Sequence, residues 1–66
     1  MSFEFDAVAR RAAGQWTVTV PQLQATGRAS KLAVAEQEVR TAVAARLGVE
    51  LVHVVLRLRL GAQGRR

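Results

Sequence analysis

Sixty-six residues, ten basic and five acidic side chains, a formal charge of +5 and no cysteine allow one domain and exclude a disulfide framework, a thiol nucleophile and a cysteine-built zinc site. A single histidine excludes a histidine-rich metal cluster as well. No apolar run approaches the roughly 20 residues of a membrane span, and the acidic, alternating start Met1-Ser2-Phe3-Glu4-Phe5-Asp6 is unlike a signal peptide, so a soluble cytoplasmic protein is expected.

In chain order, Phe3-Glu4-Phe5-Asp6-Ala7 alternates with the period of a half-buried strand. Val8 and Ala9 blur the phase and suggest a bulge or a frayed end before Arg10 and Arg11. Gly14-Gln15 reads as a hairpin turn. In the next strand Trp16, Val18 and Val20 share one face, and Pro21 ends it because proline has no N–H for the ladder. After a loop over 22–25, Thr26-Gly27-Arg28-Ala29 is a short third strand.

Ser30 is the expected N-cap of a helix over Lys31 to Leu47. That stretch has no glycine, proline or aromatic residue, and Leu32, Ala35, Val39, Ala42, Val43 and Leu47 form one apolar stripe. Glu36 and Arg40 are spaced for an i,i+4 pair. Arg46 suits the negative end of the helix dipole, and Gly48 is the expected residue past the last turn. Val49 to Leu60 then reads as one long strand. Val52, Val54, Leu56, Leu58 and Leu60 lie on the helix-covered face, and Val49, Leu51, His53, Val55, Arg57 and Arg59 on the other. The expectation is an α+β fold: a small β-β-β-α-β domain over residues 1–60, its sheet antiparallel, with one helix on one face. Residues 61–66 are expected to be a disordered basic tail.

A chain this short buries only about 60% of the surface it exposes when unfolded. Without disulfides or metal, assembly is the remaining source of stability. Val49, Leu51, His53 and Val55 place apolar surface on the open side of the sheet, where an uncovered apolar patch marks an interaction site. They are the expected oligomer or partner interface. Homodimer and homotetramer are both open.

The charge, with a pI near 11.7, points to nucleic acid as an alternative partner, since arginine and lysine neutralise phosphates. Nine of the ten bases are arginine, however, and isoleucine, asparagine and tyrosine are absent, the bias of a GC-rich coding sequence. The candidate contacts are Arg10, Arg11, Arg57 and Arg59, with Arg65 and Arg66, which converge if the first and last strands are neighbours. Phe3, Phe5 and Trp16 are read as core rather than as base-stacking platforms. Gly61-Ala62-Gln63-Gly64 has the GxxG spacing of a KH loop but follows a strand instead of joining two helices.

His53 has no serine, threonine or carboxylate placed beside it and is read as a surface or interface residue, not a general base. Glu4 and Asp6 share a strand face. A divalent-metal site of the ribonuclease H type needs a third acid, for which only Glu36, Glu38 and Glu50 remain. The pair is read instead as edge-protecting charge. No catalytic residue, metal or cofactor is expected.

The run Gly14-Gln15-Trp16-Thr17-Val18-Thr19-Val20-Pro21-Gln22-Leu23, then a short polar strand, then Ser30-Lys31-Leu32 with Ala35 to Leu47, resembles the HicB-like antitoxin family over about residues 3 to 60. The resemblance implies a partial ribonuclease H-like β-β-β-α-β domain without nuclease chemistry. Such domains assemble into dimers or tetramers and bind a small toxin RNase. Gln24-Ala25 stands where that family has glycine-cysteine, while Thr26 and Gly27 keep the later pair. The C-terminal DNA-binding module of many members has no counterpart within these residues.

Overall fold

The computed structural model describes residues 2–61. Five elements carry the fold: β1 (Phe3–Ala12), β2 (Gln15–Val20), β3 (Ala25–Ala29), α1 (Leu32–Leu47) and β4 (Val54–Leu60), with a single 3₁₀ turn, Leu51–His53, leading into β4. This is the expected α+β architecture, a four-stranded sheet with one helix packed on it, in the order β3-β2-β1-β4. The sheet is mixed rather than antiparallel throughout. β1–β2 and β2–β3 are antiparallel, but β4 runs parallel to β1. The direction follows from the connection: α1 carries the chain from one edge strand, β3, across to the other edge, a crossover of the length that parallel strands require.

β1 runs without the expected bulge. Val8 through Ala12 pair one to one with Thr19 through Gln15. Its hairpin turns on Ala13 and Gly14, at φ 55° and 76°, the two positive values of a type I′ connection, whose twist suits a two-residue hairpin. After Val20 the chain folds back through a turn in which Leu23 N–H donates to the Val20 carbonyl (3.2 Å) and Gln24 N–H to that of Pro21 (3.3 Å). Gln24 is left-handed at φ 53°.

The N-cap of α1 is Lys31, not Ser30, and no side chain caps it. Gly48 closes the helix in the left-handed conformation, φ 70°, as its position implies. Ala35, Val39, Val43 and Ala44 are the buried helical residues. Ala44 thus takes the place expected of Ala42, which is exposed. Glu36 and Arg40 do not pair. Arg40 instead reaches across to β4, its Nε donating to the Val54 carbonyl at 3.4 Å, and its Nη1 donates to Gln37 Oε1 at 3.4 Å.

The core between helix and sheet is built from small side chains: Ala7, Ala9, Val18, Val20, Ala25, Ala35, Val39, Val43, Ala44 and Val54 are buried, and among the described residues no larger side chain is. Phe5, Trp16, Leu23, Leu32, Leu47, Leu56 and Leu58 pack around it half-buried. Small residues let α1 approach β3 closely, so the helix rests mainly on β3 and β2. The far side of the sheet, β1 and β4, is less covered.

Candidate functional site

Two surfaces are left over by this arrangement, and the register assigns each residue to one of them. On the helix side, Phe3, Phe5, Ala7 and Ala9 stand beside Val54, Leu56, Leu58 and Leu60. On the open side, Glu4, Asp6 and Val8 stand beside Val55, Arg57 and Arg59. There too Val8 and Arg10 stand beside Thr19 and Thr17, and those threonines beside Thr26 and Arg28.

The four residues of the expected interface do not share the open face. Val49 and Leu51 precede β4 and pack, half-buried, against the core. His53 ends the 3₁₀ turn, exposed, with no side-chain hydrogen bond or ion pair among the described residues. Val55 alone of the four lies on the open sheet face, 39% exposed. The 3₁₀ turn is the physical reason. Its three-residue period interrupts the twofold alternation, so the residues before Val54 do not share a face with those after it. Val52, expected under the helix, is 75% exposed.

Partly uncovered apolar surface lies instead along β4 on the helix side, which α1 covers less than it covers β3 and β2. Leu56 and Leu58 are half-buried beside Phe5 and Ala7, and Leu60 is 67% exposed. β4 is also an edge strand, and no described strand pairs with its outer side. Gly61 N–H donates to the Ala9 carbonyl at 2.7 Å, so the ladder runs one residue into the expected tail. Because strand residues alternate the side to which their backbone groups point, Arg57 and Arg59 bond inward with Gly61. Leu56, Leu58 and Leu60 therefore offer their N–H and C=O groups to the free edge.

The arginines divide. β1 and β4 are neighbours, the condition for convergence, yet Arg10 and Arg11 are successive strand residues and face opposite ways. Arg11 is on the helix side over the Trp16 ring, 5.9 Å from its centroid, a cation–π distance. Arg57 is held by the acidic pair: Nη1 lies 3.5 Å from Glu4 Oε1, and Nε 3.3 Å from Asp6 Oδ1. The open face then retains Arg10 and Arg59, joined by Arg28 of β3, a residue outside the expected contacts. Arg65 and Arg66 lie outside the described residues. Glu4 and Asp6 are thus engaged with an arginine, and among the described residues no three histidine, aspartate or glutamate side chains gather where a metal would sit. Nor is any helix among the described residues long and apolar enough to cross a membrane. No family model, curated protein or solved structure matches the chain.

Proposed function

We propose that the protein is a non-enzymatic interaction domain that self-associates through β4, as a homodimer or, if a second surface joins, a homotetramer, and that it acts in the cytoplasm in the manner of a HicB-like antitoxin, binding and neutralising a small toxin RNase. The β-β-β-α-β order that the resemblance implies is the order of this fold, which supports the reading. The observation that carries it is the β4 edge: unpaired backbone groups at Leu56, Leu58 and Leu60, and their side chains left partly uncovered. An edge of this kind is a template for a further strand, and a second copy supplies an identical one, self-complementary about a twofold axis. A chain of charge +5 repels a basic partner, so the toxin expected here is one with a neutral or acidic docking surface.

The test is solution mass by light scattering at tens of micromolar. A mass at least twice that of the 7.2 kDa chain is expected. Leu58→Pro removes an outward N–H without touching the ladder to β1, so it is expected to give a folded monomer with an unchanged circular dichroism spectrum. A wild-type protein that is strictly monomeric would falsify self-association. Absence of a small RNase gene beside its own, or failure to protect cells expressing one found there, would remove the antitoxin role alone.

A further inference from the structure

We infer that the open face of the sheet is a binding site for the phosphodiester backbone of nucleic acid, built by Arg10, Arg28 and Arg59 around a trough with threonine hydroxyls on its floor. This site is on the opposite face from Leu56, Leu58 and Leu60 and does not depend on self-association.

The trough, about 420 Å³, is lined by Val8, Arg10, Ala12, Thr17, Thr19 and Pro21. The register places Arg28 beside Thr17, across from Arg10, and Arg59 beside Val8. Adjacent strands are about 4.8 Å apart, so Arg28 and Arg10 stand on either side of β2 at roughly 10 Å, Arg10 in the lining of the trough and Arg28 on the next strand beyond it. Gly61 contributes by what it lacks. A side chain there would meet the Arg10 side chain at 2.8 Å and Val8 at 2.9 Å, so glycine leaves Arg10 room to lie across the end of β4.

The charge on this face is segregated. Its two carboxylates, Glu4 and Asp6, are at the far end of β1 and both engage Arg57. Arg10, Arg28 and Arg59 have no ion pair among the described residues, and α1 balances its own charge with Glu36 and Glu38 against Arg40 and Arg46. The hydroxyls of Thr17, Thr19 and Thr26 likewise have no hydrogen bond within the described chain. Guanidinium forks and hydroxyl donors are the groups that hold phosphate oxygens.

The occupant follows from what else the face holds. It has no leucine or aromatic residue to anchor a protein, and the strands that floor the trough are paired with one another, Val8–Ala12 with Thr19–Gln15 and Trp16–Val20 with Ala29–Ala25, which leaves no strand edge within the trough for an acidic peptide to join. With no aromatic there is no stacking platform for bases, so the backbone is gripped without regard to sequence. Three neutralised phosphates predict a slope near −2.7 in log K against log salt for a duplex, about a 40-fold loss between 50 and 200 mM.

Fluorescence anisotropy of the full chain with labelled random 20-mers tests this, using DNA duplex, RNA duplex and single strand in separate arms. Expected are salt-dependent binding to at least one arm and a loss of about tenfold or more in the Arg10→Gln/Arg28→Gln/Arg59→Gln variant. Arg11→Gln and Arg57→Gln are expected to stay within about twofold of wild type. Amide chemical-shift changes on adding the bound probe are expected at Thr17, Thr19 and Arg28, a readout independent of whether the triple variant folds. Absence of binding in every arm at 50 mM salt overturns the proposal. So does retention of affinity in the triple variant while Arg65→Gln/Arg66→Gln abolishes it, or binding of poly-glutamate in preference to every nucleic acid.

Discussion

Gly27 sits in β3 with its Cα against the middle of α1. A Cβ built there would collide with the Ala35 carbonyl oxygen and fall 2.8 Å from the Val39 nitrogen and 3.1 Å from the Glu38 Cβ. Two of the three obstacles are helix backbone, which cannot rotate aside as a side chain can. Gly27→Ala is therefore expected to cost about 3 kcal/mol, the upper range for overpacking, read as a lower urea midpoint. Because glycine within a strand is otherwise less stable than alanine by roughly 0.5–1 kcal/mol, a loss of stability in Gly27→Ala reports the collision and not propensity. The tolerance of a threonine-glycine pair here is thus a packing requirement. The left-handed Gln24 (φ 53°) is the converse case. It stands where the resembled pattern has glycine, and the turn still forms, held by the Pro21 carbonyl.

Among the elements, α1 is well terminated and poorly begun. Its C-terminus has Gly48 in the left-handed cap and Arg46 in the last turn, whereas its first turn has no acidic residue and its N-cap is a lysine at φ −118°, ψ 138° with no side-chain bond. That geometry is the one a capping aspartate adopts, and a cation at the positive end of the dipole is unfavourable. Lys31→Asp is expected to raise stability by about 1 kcal/mol, measured by thermal and urea unfolding. Lys31→Gln, which removes the charge but supplies no short acceptor, should recover only a fraction. Ser30 precedes the apolar stripe and has the side chain of a cap, but the helix starts one residue later, a shift that periodicity cannot resolve. β1, β2, β3 and α1 are otherwise legible because each keeps its own period, 2 or 3.6, over most of its length, β1 losing it in sequence only at Val8 and Ala9. The segment from Val49 to Val55 is not: its alternation passes unbroken through a 3₁₀ turn, and only the return of the chain from α1 decides where β4 begins. The same non-local step hid Arg28, which joins Arg10 only when the β2–β3 register is known. Arg11, by contrast, was separable from Arg10 by alternation alone.

For the whole molecule, the relation between core and size decides how stability should behave. Among the described residues the fully buried side chains are no larger than valine, and burying a valine or leucine side chain contributes about 1.5–3 kcal/mol at most. The larger apolar groups, Phe5, Trp16, Leu56 and Leu58, keep part of their surface in water, and Leu60 keeps 67% of its own. That surface becomes stabilising only when something covers it. If the cover is a second β4, folding and association are one equilibrium, and the apparent stability must depend on protein concentration by mass action. The urea midpoint is expected to rise when the protein is raised from about 1 to about 100 µM, by an amount corresponding to roughly 2.7 kcal/mol for a dimer that unfolds to free chains. Leu58→Pro should show a lower midpoint that is the same at both concentrations, because its edge no longer offers that N–H. A wild-type midpoint independent of concentration, with the Leu56, Leu58 and Leu60 side chains still accessible to a hydrophobic dye, would mean that the single chain is stable with this surface exposed, and would leave β4 available to a different protein instead of a second copy.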